Sequence, residues 1–212
     1  MSRPPRSTYR LQLHAGFDFA AAGEVAGYLT DLGVSHVYTS PLLQAAAGST
    51  HGYDVVDHSR ADDELGGEQG RQVFAGRLRQ LGLGCVVDLV PNHMSVAVPA
   101  DNRWWWDVLA RGQESEYASY FDIDWSRGRI LLPVLGCAPD EAADELDRLA
   151  VVDGQLDYAG KRFPIAIGTG GGTPAEVHAR QHYELASWRR AAGELNYRRF
   201  FDVTGLAGVR VE

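Results

Sequence analysis

Lysine is almost absent: Lys161 is the only one among 212 residues, and arginine carries nearly all the positive charge. Such usage reflects genome composition and says little about function. Positive charge as a whole is short, with 20 Lys and Arg against 28 Asp and Glu, a net charge of −8. A surface of that sign repels phosphate backbones and acidic lipids, which argues against nucleic acid or an anionic membrane as the main partner. Cysteine is scarce too, with Cys85 and Cys137 alone. The two form neither a disulfide framework nor a metal-ligand spacing, and Cys85, inside the apolar run Cys85-Val86-Val87, is expected to be a reduced, buried thiol. No apolar h-region follows Met1 and no apolar segment approaches membrane length. The expectation is a cytoplasmic protein without a membrane anchor. What is present, 45% hydrophobic and 23% charged residues, is ordinary for a globular chain long enough for one large domain or two small ones.

The first ninety residues alternate strand and helix patterns. Thr8 to Leu13 is β-prone and alternating. A helix then opens at Phe17-Asp18-Phe19, with Asp18 as N-cap, Phe17 and Ala22 as a hydrophobic staple and Gly33 as the stop. Val25, Leu29 and Leu32 are expected on its inner face. Val34 to Thr39 predicts a second strand, followed by a loop carrying His51-Gly52-Tyr53-Asp54 and Asp57-His58. Glu68 to Leu81 predicts a second helix with Val73, Phe74, Leu78 and Leu81 inward, and Cys85 to Val90 a third strand. This β-α-β-α-β order implies α/β architecture with a parallel sheet. Beyond Ser95 the alternation stops. Ile130 to Leu135 and Leu156 to Ile167 are expected in an antiparallel sheet, and Glu176 to Ala192 as one long helix. All five tryptophans fall in this later region.

The third strand runs into Asp88-Leu89-Val90-Pro91-Asn92-His93. Ligands in parallel α/β folds bind at strand C-termini, so Asp88, Asn92 and His93 are candidate binding residues. A carboxylate there can orient arginines or hydroxyls, and the amide and imidazole can bond a ligand hydroxyl. The competing reading is a loop that satisfies its own backbone. His51, Tyr53 and Asp54 follow the second strand on the same side of a parallel sheet. There the Tyr53 ring would offer a flat face to a sugar, and Gly52 a close backbone approach. A turn with a packed Tyr is the plainer alternative. In a helix Trp104, Trp105 and Trp106 fan around the circumference, so at least one ring should stay partly exposed, with packing the favoured role of at least two. His178 and His182 are one helical turn apart, but Ala179 stands where a zinc protease needs Glu, and no third ligand is evident, so no metal is expected. Gly168 to Gly172 lacks the following Lys-Ser or Lys-Thr of a phosphate loop.

Taken together, Asp88-Leu-Val-Pro-Asn92-His93, His51-Gly52-Tyr53-Asp54 and the long insertion after the third strand resemble the α-amylase superfamily of glycoside hydrolases. Four further segments resemble its trehalose-forming isomerases: Thr8-Tyr-Arg-Leu-Gln-Leu13; Trp104-Trp-Trp-Asp-Val-Leu109; Phe121-Asp-Ile-Asp-Trp125 with Leu131-Leu-Pro-Val-Leu-Gly136; and Leu195-Asn-Tyr-Arg-Arg-Phe-Phe-Asp-Val203, running on to Glu212. The resemblance implies the N-terminal part, about three β/α units, of a TIM (β/α)₈ barrel with a B domain inserted after the third strand. The implied boundaries are 1–94 for the barrel segment, 95–196 for the aromatic-rich B domain and 197–212 for the return toward the barrel. The implied activity is intramolecular transglucosylation, turning the reducing-end α-1,4 link of a maltooligosaccharide into an α,α-1,1 link, with no cofactor. Carried over by residue, Tyr53 would stack beneath the sugar, His93 would hydrogen-bond it, and Asp88 and Asn92 would hold the geometry; Asp54 and His51 would complete the substrate-binding set, with a structural role as the alternative for Asp54. Calcium, bound at the Asn position in some amylases, is not carried over to Asn92.

The chain departs from that pattern in one respect. The nucleophile and acid/base of the superfamily follow the fourth and fifth strands, and no Gly-x-Arg-x-Asp occurs here. Gly208-Val-Arg-Val-Glu212 is close in letters only, and Glu212 takes no catalytic role. A full barrel needs about 250 residues before insertions, so the chain is expected to be part of a longer enzyme and inactive alone. The alternatives are a glucan hydrolase of the α-amylase type and a non-catalytic glycan-binding module.

Overall fold

A computed structural model describes residues 4–210, so Glu212 lies outside the described residues. Its contacts separate into two compact units, Met1–Pro91 and Asn92–Glu212.

The N-terminal unit runs β1 (Thr8–Leu11), α1 (Phe19–Asp31), β2 (His36–Thr39), β3 (Leu43–Ala45), β4 (Val55–Ala61), α2 (Gly67–Gln80) and β5 (Gly84–Val87). The strands β1, β2 and β5 form a parallel sheet in that order, as the alternation requires. The ends of α1 are set by local chemistry. The Asp18 carboxylate accepts the Ala21 N–H at 2.9 Å, and Gly33, at φ 82°, lets the Val34 N–H return to the Leu29 carbonyl at 3.0 Å. Phe19, Ala22, Ala26 and Leu29 of α1 join Phe74 and Leu78 of α2, with Val37 of the sheet, in one core. Two expected core residues are not in it. Leu32 is 54% exposed because it caps α1 beyond its last inward turn, and Val73 is 67% exposed because it precedes Phe74 by one position, about 100° away around the helix. Cys85 is exposed rather than buried, because β5 is the edge strand of its sheet. The expected loop after β2 contains an antiparallel hairpin, β3 with β4, whose register slips twice. Its polar stretch Asp57-His58-Ser59-Arg60 conceals the strand in the sequence.

The C-terminal unit runs β6 (His93–Ser95), α3 (Arg103–Arg111), β7 (Ile130–Leu135), α4 (Ala142–Leu146), β8 (Ala150–Val152), β9 (Gln155–Tyr158), β10 (Lys161–Pro164), α5 (Pro174–Ala179), β11 (Tyr183–Ser187), α6 (Ala191–Glu194) and β12 (Leu206–Gly208). Here β6 pairs with β12, and β8, β9 and β10 form a meander. Leu156 to Ile167 is therefore two strands of that meander. It turns at Ala159-Gly160, both at positive φ. Ala159 has a left-handed backbone without glycine's freedom, a conformation that costs an L-residue roughly 1–2 kcal/mol. Ala159→Asn, the residue such turns prefer, should stabilise the unit by about 1 kcal/mol in urea denaturation.

The expected helix from Glu176 to Ala192 is the largest departure. Thr173 and Glu176 form a reciprocal cap at the start of α5, but the helix ends at Ala179. Tyr183–Ser187 then pairs in parallel with β7, burying Tyr183, Leu185, Ala186 and Ser187. Thus β7 belongs with β11 and not with the meander. His178 and His182 consequently share no helix face. The buried His178 ring accepts the Leu185 N–H at 3.0 Å. The tryptophan triplet fans as expected: on α3 Trp105 is fully buried while Trp104 and Trp106 are half-buried. Asn102, also fully buried, starts α3 by accepting the N–H groups of Trp104 and Trp105 and donating to the Ser95 carbonyl at 2.9 Å.

Candidate functional site

In the N-terminal unit the site is written by sheet register. Arg10 pairs with Tyr38, and Tyr38 with Val86, two residues before Asp88. With side chains alternating along a strand, Arg10 and Tyr38 project on the face to which Asp88 turns. The Asp88 carboxylate accepts from the Tyr53 hydroxyl at 2.6 Å, from Arg10 Nη1 at 3.2 Å and from the Tyr38 hydroxyl at 3.3 Å. Arg10 also donates to the Tyr53 oxygen at 3.1 Å and lies over the Tyr38 ring, 4.6 Å from its centroid. Desolvation alone would raise the Asp88 pKa. The three donors, Tyr53 foremost, and the guanidinium charge outweigh it and hold the carboxyl below its ordinary value. The same bond to Asp88 pushes the Tyr53 phenol up. In Tyr53→Phe, then, the Asp88 pKa should rise, read from its carboxyl carbon in an NMR titration; an unchanged value would mean that Arg10 and Tyr38 set it.

The turn that presents Tyr53 is built on polar side chains. Ser49 donates to the Asp54 carboxylate and accepts the Gly52 N–H at 3.0 Å. His51 accepts the Tyr53 N–H at 3.1 Å, lies 3.7 Å from Asp54, and stacks on the Tyr53 ring with centroids 6.0 Å apart. Gly52 sits at φ 75°, and a Cβ there would come within 3.1 Å of the Pro41 carbonyl, so this position needs glycine. Tyr53 itself is 39% exposed, with its ring orientation fixed by Asp88 at one end and His51 on a face. His58 Nε2 donates to the Val90 carbonyl at 2.8 Å, which anchors the segment carrying Asp88.

In the C-terminal unit Asn92 is exposed and His93 is 3% exposed. The Asn92 side-chain oxygen lies 3.0 Å from His93 Nδ1, and the Phe200 ring stacks on the imidazole at 4.0 Å and 13°. Phe200 therefore covers one face of the His93 ring, and Asn92 meets its Nδ1 edge. Asn92 and Phe200 border a cleft of about 470 Å³ with Arg198, Arg199, Arg210 and Asp122.

Each N-terminal candidate, Asp88, Tyr53, His51 and Asp54, thus belongs to one connected polar network, and Asn92 and His93 to another. Arg10, Tyr38 and Phe200 are the members that sequence reasoning missed. Arg10 and Tyr38 could have been found by aligning the polar alternate positions of the first two strands. Nothing local marks Phe200. Among the described residues no cluster of three or more His, Cys, Asp and Glu could hold a metal. Nor, among them, is any helix long and apolar enough to cross a membrane.

The chain matches the alpha-amylase catalytic domain over residues 22–142 and belongs to that family. It is 48% identical over 220 residues to a putative maltooligosyl trehalose synthase of Mycobacterium tuberculosis H37Rv, covering 100% of this chain and 28% of that protein. The solved maltooligosyltrehalose synthase of Arthrobacter ramosus is 59% identical with a TM-score of 0.92, over 98% of this chain and 27% of that one. The intracellular maltogenic amylase of Bacillus subtilis is 32% identical over 108 residues, 51% of this chain and 17% of that protein. The chain thus spans about 28% of the length of the curated synthases it matches. Its fold is the N-terminal part of a TIM barrel, three parallel strands with their helices, and the described residues do not close a barrel.

Proposed function

We propose that this chain is the N-terminal part of an intramolecular transglucosylase that converts the reducing-end α-1,4 link of maltooligosaccharides into an α,α-1,1 link. The observation that carries the reading is coverage: likeness to trehalose-forming synthases runs through both units, 98% of the chain, whereas likeness to the maltogenic amylase covers 51%. In this reading Tyr53 supplies a fixed aromatic platform for the C–H face of a glucose unit. His93 and Asn92 offer hydrogen bonds to its hydroxyls. Asp88, tied to Arg10 and Tyr38, positions Tyr53, while Asp54 and His51 brace the turn. Rearrangement with retention needs a carboxylate nucleophile and a carboxylic acid/base about 5–5.5 Å apart, and exclusion of water so that a sugar hydroxyl attacks instead. Neither carboxyl role is assigned to a described residue. The cytoplasm, where free thiols such as Cys85 and Cys137 stay reduced, is the compartment that goes with this reading.

The test is a chimera in which residues 4–210 replace the matching segment of the Arthrobacter ramosus synthase. Fed maltohexaose, it should remove reducing ends without releasing glucose, and the anomeric NMR signals should show the 1,1 link. Tyr53→Ala in the chimera should lower kcat/KM by about tenfold or more, roughly the 1.4 kcal/mol of one lost stacking contact. The 212-residue polypeptide alone should form no product. A chimera that only shortens the substrate would assign the segment to a hydrolase.

A further inference from the structure

The only lysine of the chain lies beside a cavity that none of the candidate site residues lines. The cavity, of about 140 Å³, belongs to the C-terminal unit and is built by regular strand geometry. Side chains alternate along a strand, so Lys161 and Phe163 share one face of β10, and Leu132 and Val134 share one face of β7. All four line the cavity, together with Val96 and with Trp105 of α3. The Val96 N–H donates to the Gly205 carbonyl at 2.7 Å, and the Tyr183 hydroxyl to the Pro164 carbonyl at 2.8 Å, so the walls are tied into the framework of the unit.

Size and lining restrict the occupant. A space of about 150 Å³ holds one benzene ring. Trp105, Leu132 and Phe163 are buried and offer apolar contact. A glucose unit would leave its hydroxyls unpaired against such walls, which is unfavourable. Two polar side chains complete the lining. Tyr197 is 6% exposed and tilted against Trp105 at 5.2 Å, yet its hydroxyl has no hydrogen-bond partner among the described residues. Burial, against an opposing pull from Arg199, pushes that phenol up to about 12, so it remains a donor. The Lys161 ammonium is exposed and has no ion-pair partner among the described residues, and no Asp or Glu among them lines the cavity. An unused donor and an unpaired cation beside an apolar, ring-sized space match a flat hydrophobic body with one anionic end.

We propose that this cavity binds a small aromatic carboxylate, its ring against Trp105 and Phe163 and its carboxylate on the Lys161 ammonium and the Tyr197 hydroxyl. The site takes a ligand class unlike glucan and stands independently of the substrate argued above.

The experiment is an NMR titration of the nitrogen-labelled 212-residue chain with benzoate, benzyl alcohol and acetate, following the indole N–H of Trp105. Benzoate should shift that signal saturably and bind about tenfold more tightly than benzyl alcohol, the share of one charge-assisted contact. Acetate, which has no ring, should leave it unmoved. Lys161→Met keeps the apolar stem at an exposed position, and should bring benzoate to the affinity of benzyl alcohol while leaving the alcohol unchanged. Ala97→Leu, at an exposed residue of the lining, should fill the space and weaken both ring compounds at least tenfold. Equal wild-type affinities for benzoate and benzyl alcohol, or an unchanged ratio in Lys161→Met, would overturn the carboxylate assignment. A shift with acetate equal to that with benzoate would reduce the site to surface charge. No shift with either ring compound on folded chain would overturn the proposal and make the cavity a packing space.

Discussion

Trp105→Ala should cost the C-terminal unit about 4 kcal/mol, within the 3–5 kcal/mol of buried Trp or Phe truncations. The Trp105 ring is fully buried, set edge-on to Phe121 at 4.9 Å and tilted against Tyr197 at 5.2 Å. Removing it deletes both aromatic contacts and leaves a cavity that Val108 and Leu109, fixed on the same helix, cannot collapse to fill. Set against a typical domain stability of about 5–15 kcal/mol, the loss takes a large share. Trp104→Ala and Trp106→Ala should cost only about 1–2 kcal/mol each, because both residues are half-buried. Trp104 stacks on Tyr117 at 5.8 Å and meets Tyr120 edge-on at 5.4 Å, outside the densest packing. Urea denaturation followed by near-UV circular dichroism compares the three variants directly. Equal costs would mean that the triplet packs as one slab, against the helical fan read from its spacing.

What the sequence made legible was chemistry that acts over a few residues. Asp18 and Gly33 declare the ends of α1 because capping and the left-handed stop are local. Asp88 and Tyr53 stand out because strand ends gather ligand-facing side chains. Long-range pairing hid the rest. Arg10 and Asp88 are separated by 78 positions and meet only through the register of three parallel strands. Phe200 reaches His93 because β12 returns to β6. The segment from Tyr183 to Ser187 reads as helix when its apolar residues are counted at helical spacing. Its partner β7 decides otherwise, since a buried parallel strand and a buried helix share the same short apolar run. The hairpin β3–β4 escaped for the opposite reason, polar residues within a slipped register.

Acid should destabilise the C-terminal unit through His178. Its imidazole is buried, Nε2 accepts the Leu185 N–H, and the Arg129 guanidinium donates to the carbonyls of His178 and Tyr183 at 3.2 and 3.3 Å. Burial first, then the Arg129 charge, lowers its pKa from 6.5 to about 4, against a smaller upward pull from Glu184. In the unfolded chain the ring titrates near 6.5, so between pH 6.5 and about 4 the unfolded state binds the extra proton. The contribution is complete above pH 6.5 and is lost as pH falls, by about 2 kcal/mol at pH 5 and about 3 kcal/mol below pH 4. Protonation also removes the acceptor for Leu185, which leaves a donor of the β11 strand without its partner and aims a second cation at Arg129. Carboxylates throughout the chain add their own acid dependence, so the informative quantity is a difference. Urea denaturation of the wild type and His178→Gln at pH 7.5 and pH 5 should show the variant losing about 2 kcal/mol less than the wild type over that interval, since Gln has no proton to gain. Equal losses would place the acid sensitivity in the carboxylates and make His178 a neutral packing residue whose ring merely fills the space between α5 and β11.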